Sequence, residues 1–106
     1  MSVKRIWRGW TTPENAEAYR RVLEEEVRPG IEAKKIKGYR SLELLSRDLG
    51  AEVEFMTIMT FDSIQNVIGL QGEDYERAYV PDVARAVLSR WDEFCMHYET
   101  SEGGNS

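Results

Sequence analysis

Residues Glu52 to Phe61 read EVEFMTIMTF. At the two-residue period of a strand, Val53, Phe55, Thr57, Met59 and Phe61 lie on one side and Glu54, Met56, Ile58 and Thr60 on the other. Both sets are largely apolar, which predicts a central strand covered on both faces rather than one with a wet side. Asp62 and Ser63, helix N-cap types, stand where the pattern stops. Such a strand needs two covers, so the rest of the chain must supply both or borrow one.

Immediately upstream, Tyr39 to Arg47 predicts a second strand with Leu42 and Leu44 on its better-buried side. Asp48-Leu49-Gly50 is a hairpin loop whose Gly can take the left-handed conformation, so the two strands are antiparallel. Downstream, Ser63 to about Leu70 predicts a short helix with Ile64, Val67 and Ile68 inward. Lys4 to Trp10, KRIWRGW, predicts a first strand in which Gly9 marks a bulge or the close approach of another group. Thr12-Pro13 opens a helix with Ala16, Tyr19, Leu23 and Val27 on one face, and Arg28-Pro29-Gly30 is expected to end it. Ile31 to Lys37 reads as a polar connector. Glu73 to Tyr79 reads as a helical turn or irregular segment, and Val80-Pro81-Asp82 opens a helix through about Leu88. Trp91 to Thr100, WDEFCMHYET, predicts the last strand, with Phe94, Met96 and Tyr98 opposite Glu93, Cys95, His97 and Glu99.

The resulting order is strand, helix, strand, strand, helix, strand. This is an α+β, ferredoxin-like βαββαβ unit with an antiparallel four-stranded sheet over residues 1–100, and Ser101–Ser106 is expected to be a mobile polar tail. Right-handed crossovers put both helical segments on one face of the sheet. The other face has no cover within the chain, yet the central strand is apolar there too. An exposed apolar sheet face is a large adhesive patch, so the pattern predicts a homodimer packed sheet on sheet with helices outside.

Composition narrows the partners. The chain has 106 residues, 42% of them apolar, enough for one core. Three Trp, five Tyr and three Phe are more aromatic residues than one small protomer readily buries, so some are expected at a cavity or partner surface. A net charge of −5 argues against nucleic acid and anionic membrane. The single Cys allows no intrachain disulfide. No apolar run approaches the roughly 20 residues of a membrane span, and Met1 to Trp10 lacks a signal-peptide core, so a soluble cytoplasmic protein is the expectation.

Several stretches taken together resemble a known family. RGW near the start, Pro-Gly at the end of the first helix, GYRSLELLSRD, EFMTIMTFDS, GEDYERAYVP, ARAVLSRWDE and the terminal HYE are similar to small bacterial proteins of the antibiotic biosynthesis monooxygenase-like group, in the dimeric α+β barrel superfamily. The resemblance spans about Lys4 to Glu99. It implies a homodimer with a pocket in each protomer between sheet and helices. It also implies oxidation of polycyclic phenols or quinols by molecular oxygen with no metal, flavin or other cofactor. Relatives acting on anthrones use an Asn, a Trp, a Tyr and an Arg. Here Asn66, Tyr75 or Tyr79, and Arg85 are available, but Leu70 stands where the Trp would fall, so the full set does not carry over. Haem-degrading relatives use a helical His, whereas the one His here falls on the last strand.

Each candidate residue has two readings. His97, the one imidazole, is either a general base on a phenolic substrate or a strand histidine hydrogen-bonded within the sheet or dimer contact. Tyr79 and Arg85 are the other catalytic candidates, donating to a substrate oxygen and stabilising an enolate; otherwise Tyr79 packs and Arg85 pairs with Asp82 or Glu76. Tyr75, Asn66, Trp7 and Trp91 are the substrate-binding candidates, the Trp residues by stacking on a planar ligand and otherwise as core or interface. Cys95, His97 and Glu99 share one side of a strand, but three ligands on one extended segment do not converge on an ion, so no metal site is predicted. Arg5 and Arg8 flank Trp7, and an inward arginine needs a partner. Either Arg8 meets a carboxylate such as Glu54 or Glu43, or one of these arginines faces a ligand.

Overall fold

The computed structural model describes residues 2–101, and the expected tail beyond Ser101 lies outside them. The central strand is β3, Val53–Phe61, paired antiparallel on one side with β2, Tyr39–Asp48, and on the other with β1, Val3–Thr11. β2 and β3 are joined by a turn in which the Leu49 N–H donates to the Glu52 carbonyl at 2.8 Å. Gly50 there takes φ +91° and its N–H is held by the Asp48 carboxylate, as the loop's sequence demands. The free edge of β1 is covered by two short strands, β4 (Arg90–Trp91) and β5 (Met96–Glu99), so the sheet runs β2-β3-β1 and then β4 and β5 in tandem.

The expected single last strand is therefore split, for a nameable reason. After Asp92, whose N–H still donates to the Arg8 carbonyl of β1, residues 93–95 leave β1 and pair instead with residues 76–78: the Ala78 N–H donates to the Glu93 carbonyl and the Cys95 N–H to the Glu76 carbonyl. Backbone groups there find partners in the loop and not in the sheet, so strand alternation lapses for three residues.

The first helix also departs from expectation. After a turn opened by Pro13 and capped by the Thr12 hydroxyl, it runs as α1 (Ala16–Val22), a π-helical turn (Leu23–Val27) and α2 (Arg28–Ala33). Pro29 and Gly30 lie inside this rod and do not terminate it. Proline in a helix interior removes one hydrogen bond and crowds the preceding turn. Widening that turn, with the Arg28 N–H donating to the Leu23 carbonyl, accommodates it. α3 (Ile64–Gln71) follows β3, but the helix expected to reach Leu88 is only a short α4, Asp82–Arg85, followed by turns.

All helical elements pack on the face formed by the odd-numbered residues of β1 and β3. Tyr19 meets Phe55 edge to face at 5.0 Å, within a core that includes Leu23, Val80, Ala84 and Leu88. Leu42, Met59, Phe61 and Val67 form a second cluster under α3. Each such side chain contributes roughly 1.5–3 kcal/mol by burial. Gly9 resolves to close approach, since a Cβ there would lie 2.8 Å from the Trp7 ring and 3.0 Å from Leu88.

On the opposite face Ile6, Met56, Ile58 and Met96 are half-buried, and Leu45 and Tyr98 are exposed. The pairings Leu45–Met56, Ile58–Ile6 and Ile6–Met96 make them one ribbon across four strands. No element of the described chain crosses this face. Only its corner is shielded, where Trp10 lies between Arg90 (3.9 Å) and Arg8 (5.2 Å), themselves paired with Glu52 and Asp92.

Candidate functional site

Between the sheet and the helical layer lies a cavity of about 340 Å³, within the range of pockets that enclose small organic ligands. Its floor is the middle of the sheet: Arg5 and Trp7 of β1, Thr57 and Met59 of β3. The helical rod supplies Tyr19, Leu23, Val27 and Ile31, and Gly30 leaves a gap in that wall where a Cβ would touch nothing within 4 Å. Leu70 closes one end. The irregular segment from Ala78 to Ala84 forms the roof, with Tyr79 at the mouth, 76% exposed. Cys95, from the segment that breaks the last strand, completes the wall.

The polar groups have distinct settings. The Trp7 indole N–H donates to the Asp92 carbonyl at 2.8 Å, which fixes the ring as a rigid wall. Tyr19 is buried, and burial pushes its phenol far above the ordinary value, so it stays protonated. Burial likewise pushes the Cys95 thiol up, keeping it neutral. Glu26 and Lys34, both exposed, stand on the helical side. Arg5 is only 5% exposed, and its Nη1 donates to the Tyr75 carbonyl at 2.5 Å and to His97 Nε2 at 2.9 Å.

Of the residues singled out in the sequence, Trp7 and Tyr79 line this cavity. His97 does not: it stands behind Arg5, with Tyr75 packed edge-on against its ring at 5.1 Å. Because a guanidinium can only donate, His97 Nε2 accepts, and the imidazole proton sits on Nδ1, which is buried with no partner among the described residues. Burial and the Arg5 charge hold its pKa below the usual histidine value. Arg85 is turned away, donating from Nε to the Val80 carbonyl and lying over Trp91. It pairs with neither Asp82 nor Glu76. Asn66 is part of the α3 cap, its Oδ1 accepting from the backbone N and the Oγ of Ser63, and its side chain packs on Gly38 so closely that only glycine fits there. Among the described residues no three His, Cys, Asp or Glu side chains gather as a metal site would require.

Arg5 was missed as a site residue although the sequence signalled it. Arg5 and Arg8 both needed partners, and the structure divides them. Arg8 takes Asp92 at 2.9 Å, and Glu54, the acid of the central strand, takes Arg47 at 2.7 Å. Arg5 is left with no carboxylate among the described residues.

Comparison with known proteins bears on the fold. No family model matches the sequence, and no curated protein does. Solved structures do. A Bacillus cereus protein provisionally named an antibiotic biosynthesis monooxygenase superposes with a TM-score of 0.63 at 10% identity, covering 96% of this chain and 93% of that one. Rv0793 of Mycobacterium tuberculosis gives 0.59 at 18% identity over 96% and 97% of the two chains. An ethyl tert-butyl ether D (EthD) family protein from Bacillus halodurans gives 0.55 at 19% over 95% and 100%. The resemblance read from the sequence thus holds where such identities can decide it: this chain has the α+β fold of the antibiotic biosynthesis monooxygenase-like proteins.

Proposed function

We propose that the protein is a homodimer, sheet packed on sheet, in which each protomer's cavity binds a small aromatic molecule and promotes its oxidation by molecular oxygen without metal or flavin. The cavity itself carries this reading: it is walled mainly by apolar and aromatic side chains and has one buried cation in its floor. A phenol, quinol or anthrone fits that lining. Once deprotonated, it can pass an electron to oxygen. For an anthrone, a ring CH2 becomes C=O while one oxygen atom enters the product and the other leaves as water. In this reading Tyr79, which lines the cavity, donates to a substrate oxygen, and His97, which contacts Arg5, acts at second hand by holding it. Arg85 is assigned the support of the roof through Val80 and not a catalytic role.

A binding protein without catalysis is the second reading. It is favoured by one observation: neither His97, behind Arg5, nor Cys95, kept neutral by burial, is an available base inside the cavity. Oxygen consumption separates the two. Purified protein mixed with a panel of anthrones and quinols should take up one oxygen molecule per substrate oxidised, above the rate without protein. Binding of those compounds with no uptake would establish the second reading and overturn the first.

A further inference from the structure

The cavity floor contains a charge that nothing among the described residues balances. Arg5 rises from the middle of β1 and is 5% exposed, yet none of the ion pairs among the described residues includes it. Its two hydrogen-bond partners, the Tyr75 carbonyl and the neutral His97 ring, are uncharged. So is the nearby Cys95 thiol, whose pKa burial raises. The acids within reach lie elsewhere: Glu76 is exposed and acts on His97, and Glu26 is exposed on the helical wall, which also presents Lys34. A guanidinium has five N–H donors in a planar fork. Those on Nη1 are used, while Nε and Nη2 have no partner among the described residues, and Arg5 lines the cavity.

A buried cation with no counter-charge is unfavourable, and proteins avoid one unless something else supplies the opposite charge. The free edge of a guanidinium suits a ligand oxygen bearing that charge, through short charge-assisted hydrogen bonds. The rest of the cavity lining is largely hydrophobic and includes Trp7, Met59, Leu23 and Val27.

We propose that the ligand of this cavity is an aromatic monoanion, with a flat apolar body against Trp7 and one ionised oxygen, a phenolate or enolate, on Nε and Nη2 of Arg5. This rests on the reading of the cavity as the ligand site and specifies what enters it. It also gives Arg5 a binding role that the neutral wall groups cannot fill, because holding the substrate as its anion requires a fixed positive charge where water is excluded.

The test is isothermal titration calorimetry with three probes of one ring system: a hydroxynaphthoquinone ionised at neutral pH, its neutral methyl ether, and a naphthoate. Wild-type protein should bind the ionised quinone about tenfold or more tightly than the methyl ether. Arg5→Met should abolish that preference while leaving the ether's affinity within about twofold. Arg5→Lys, which keeps the charge but loses the fork, should retain part of it, so the outcome does not depend on Arg5→Met folding. Naphthoate binding more tightly than the ionised quinone would overturn the assignment of a phenolate or enolate. Equal affinity for anion and ether in wild-type protein would overturn the proposal while leaving the cavity reading intact. No binding of any probe would overturn both.

Discussion

At the scale of single residues, the unpartnered polar groups make the sharpest predictions. The Thr11 hydroxyl is fully buried and hydrogen-bonded to nothing among the described residues. Thr11→Val keeps the shape and removes the orphan, so it should stabilise the protein by about 1 kcal/mol, read from urea or thermal unfolding. A lower unfolding midpoint would show that the hydroxyl has a partner after all. His97 is held neutral by burial and by Arg5, with Glu76 the one acid acting against that trend. Its folded pKa therefore lies below the unfolded value near 6.5. As pH falls through 6.5 the unfolded chain takes up a proton that the folded one refuses, so stability is complete above 6.5 and is lost below it, down to the depressed value. His97→Gln retains an acceptor for Arg5 and should flatten this part of the stability profile. An unchanged profile would mean that His97 titrates normally. The sequence marked His97, Asn66 and Arg85 by their chemistry. Orientation, which decides what chemistry can act on, depends on contacts from distant segments: Asp92 claims Arg8, Val80 claims Arg85, and Gly38 meets Asn66.

At the scale of elements, periodicity was a good guide and breaker residues a poor one. The β3 pattern identified a central strand with two apolar faces, and the Leu42/Leu44 side of β2 is the one that packs under the helices. Pro29 and Gly30 misled because their rule is local. A π-helical turn one step earlier accommodates the proline, and the continued helix gives the cavity a longer wall. The last strand misled because alternation cannot show that residues 93–95 have a competing partner at 76–78. Glycines inside helices remain a measurable weakness. Gly69 in α3 is exposed, and a Cβ there would meet nothing within 4 Å. Gly69→Ala should therefore stabilise by roughly 0.5–1 kcal/mol. Destabilisation would show that α3 needs glycine there for a contact beyond the protomer.

At the scale of the whole molecule, the two faces of one sheet have different fates. The helical face is finished within the protomer and encloses the cavity. The other carries Ile6, Leu45, Met56, Ile58, Met96 and Tyr98 with nothing from the described chain above them. A second copy related by a two-fold axis would cover that ribbon with its own. Ile58→Lys would place two like charges into such a contact and should weaken dimerisation by roughly 2–5 kcal/mol, while the cavity on the far side keeps its ligand affinity. The need for a second copy is tested most directly by sedimentation velocity at low micromolar concentration. The account predicts one species of twice the 12.3 kDa chain mass, reduced to the single-chain mass by Ile58→Lys. A wild-type protein sedimenting as a well-behaved 12.3 kDa monomer would contradict it.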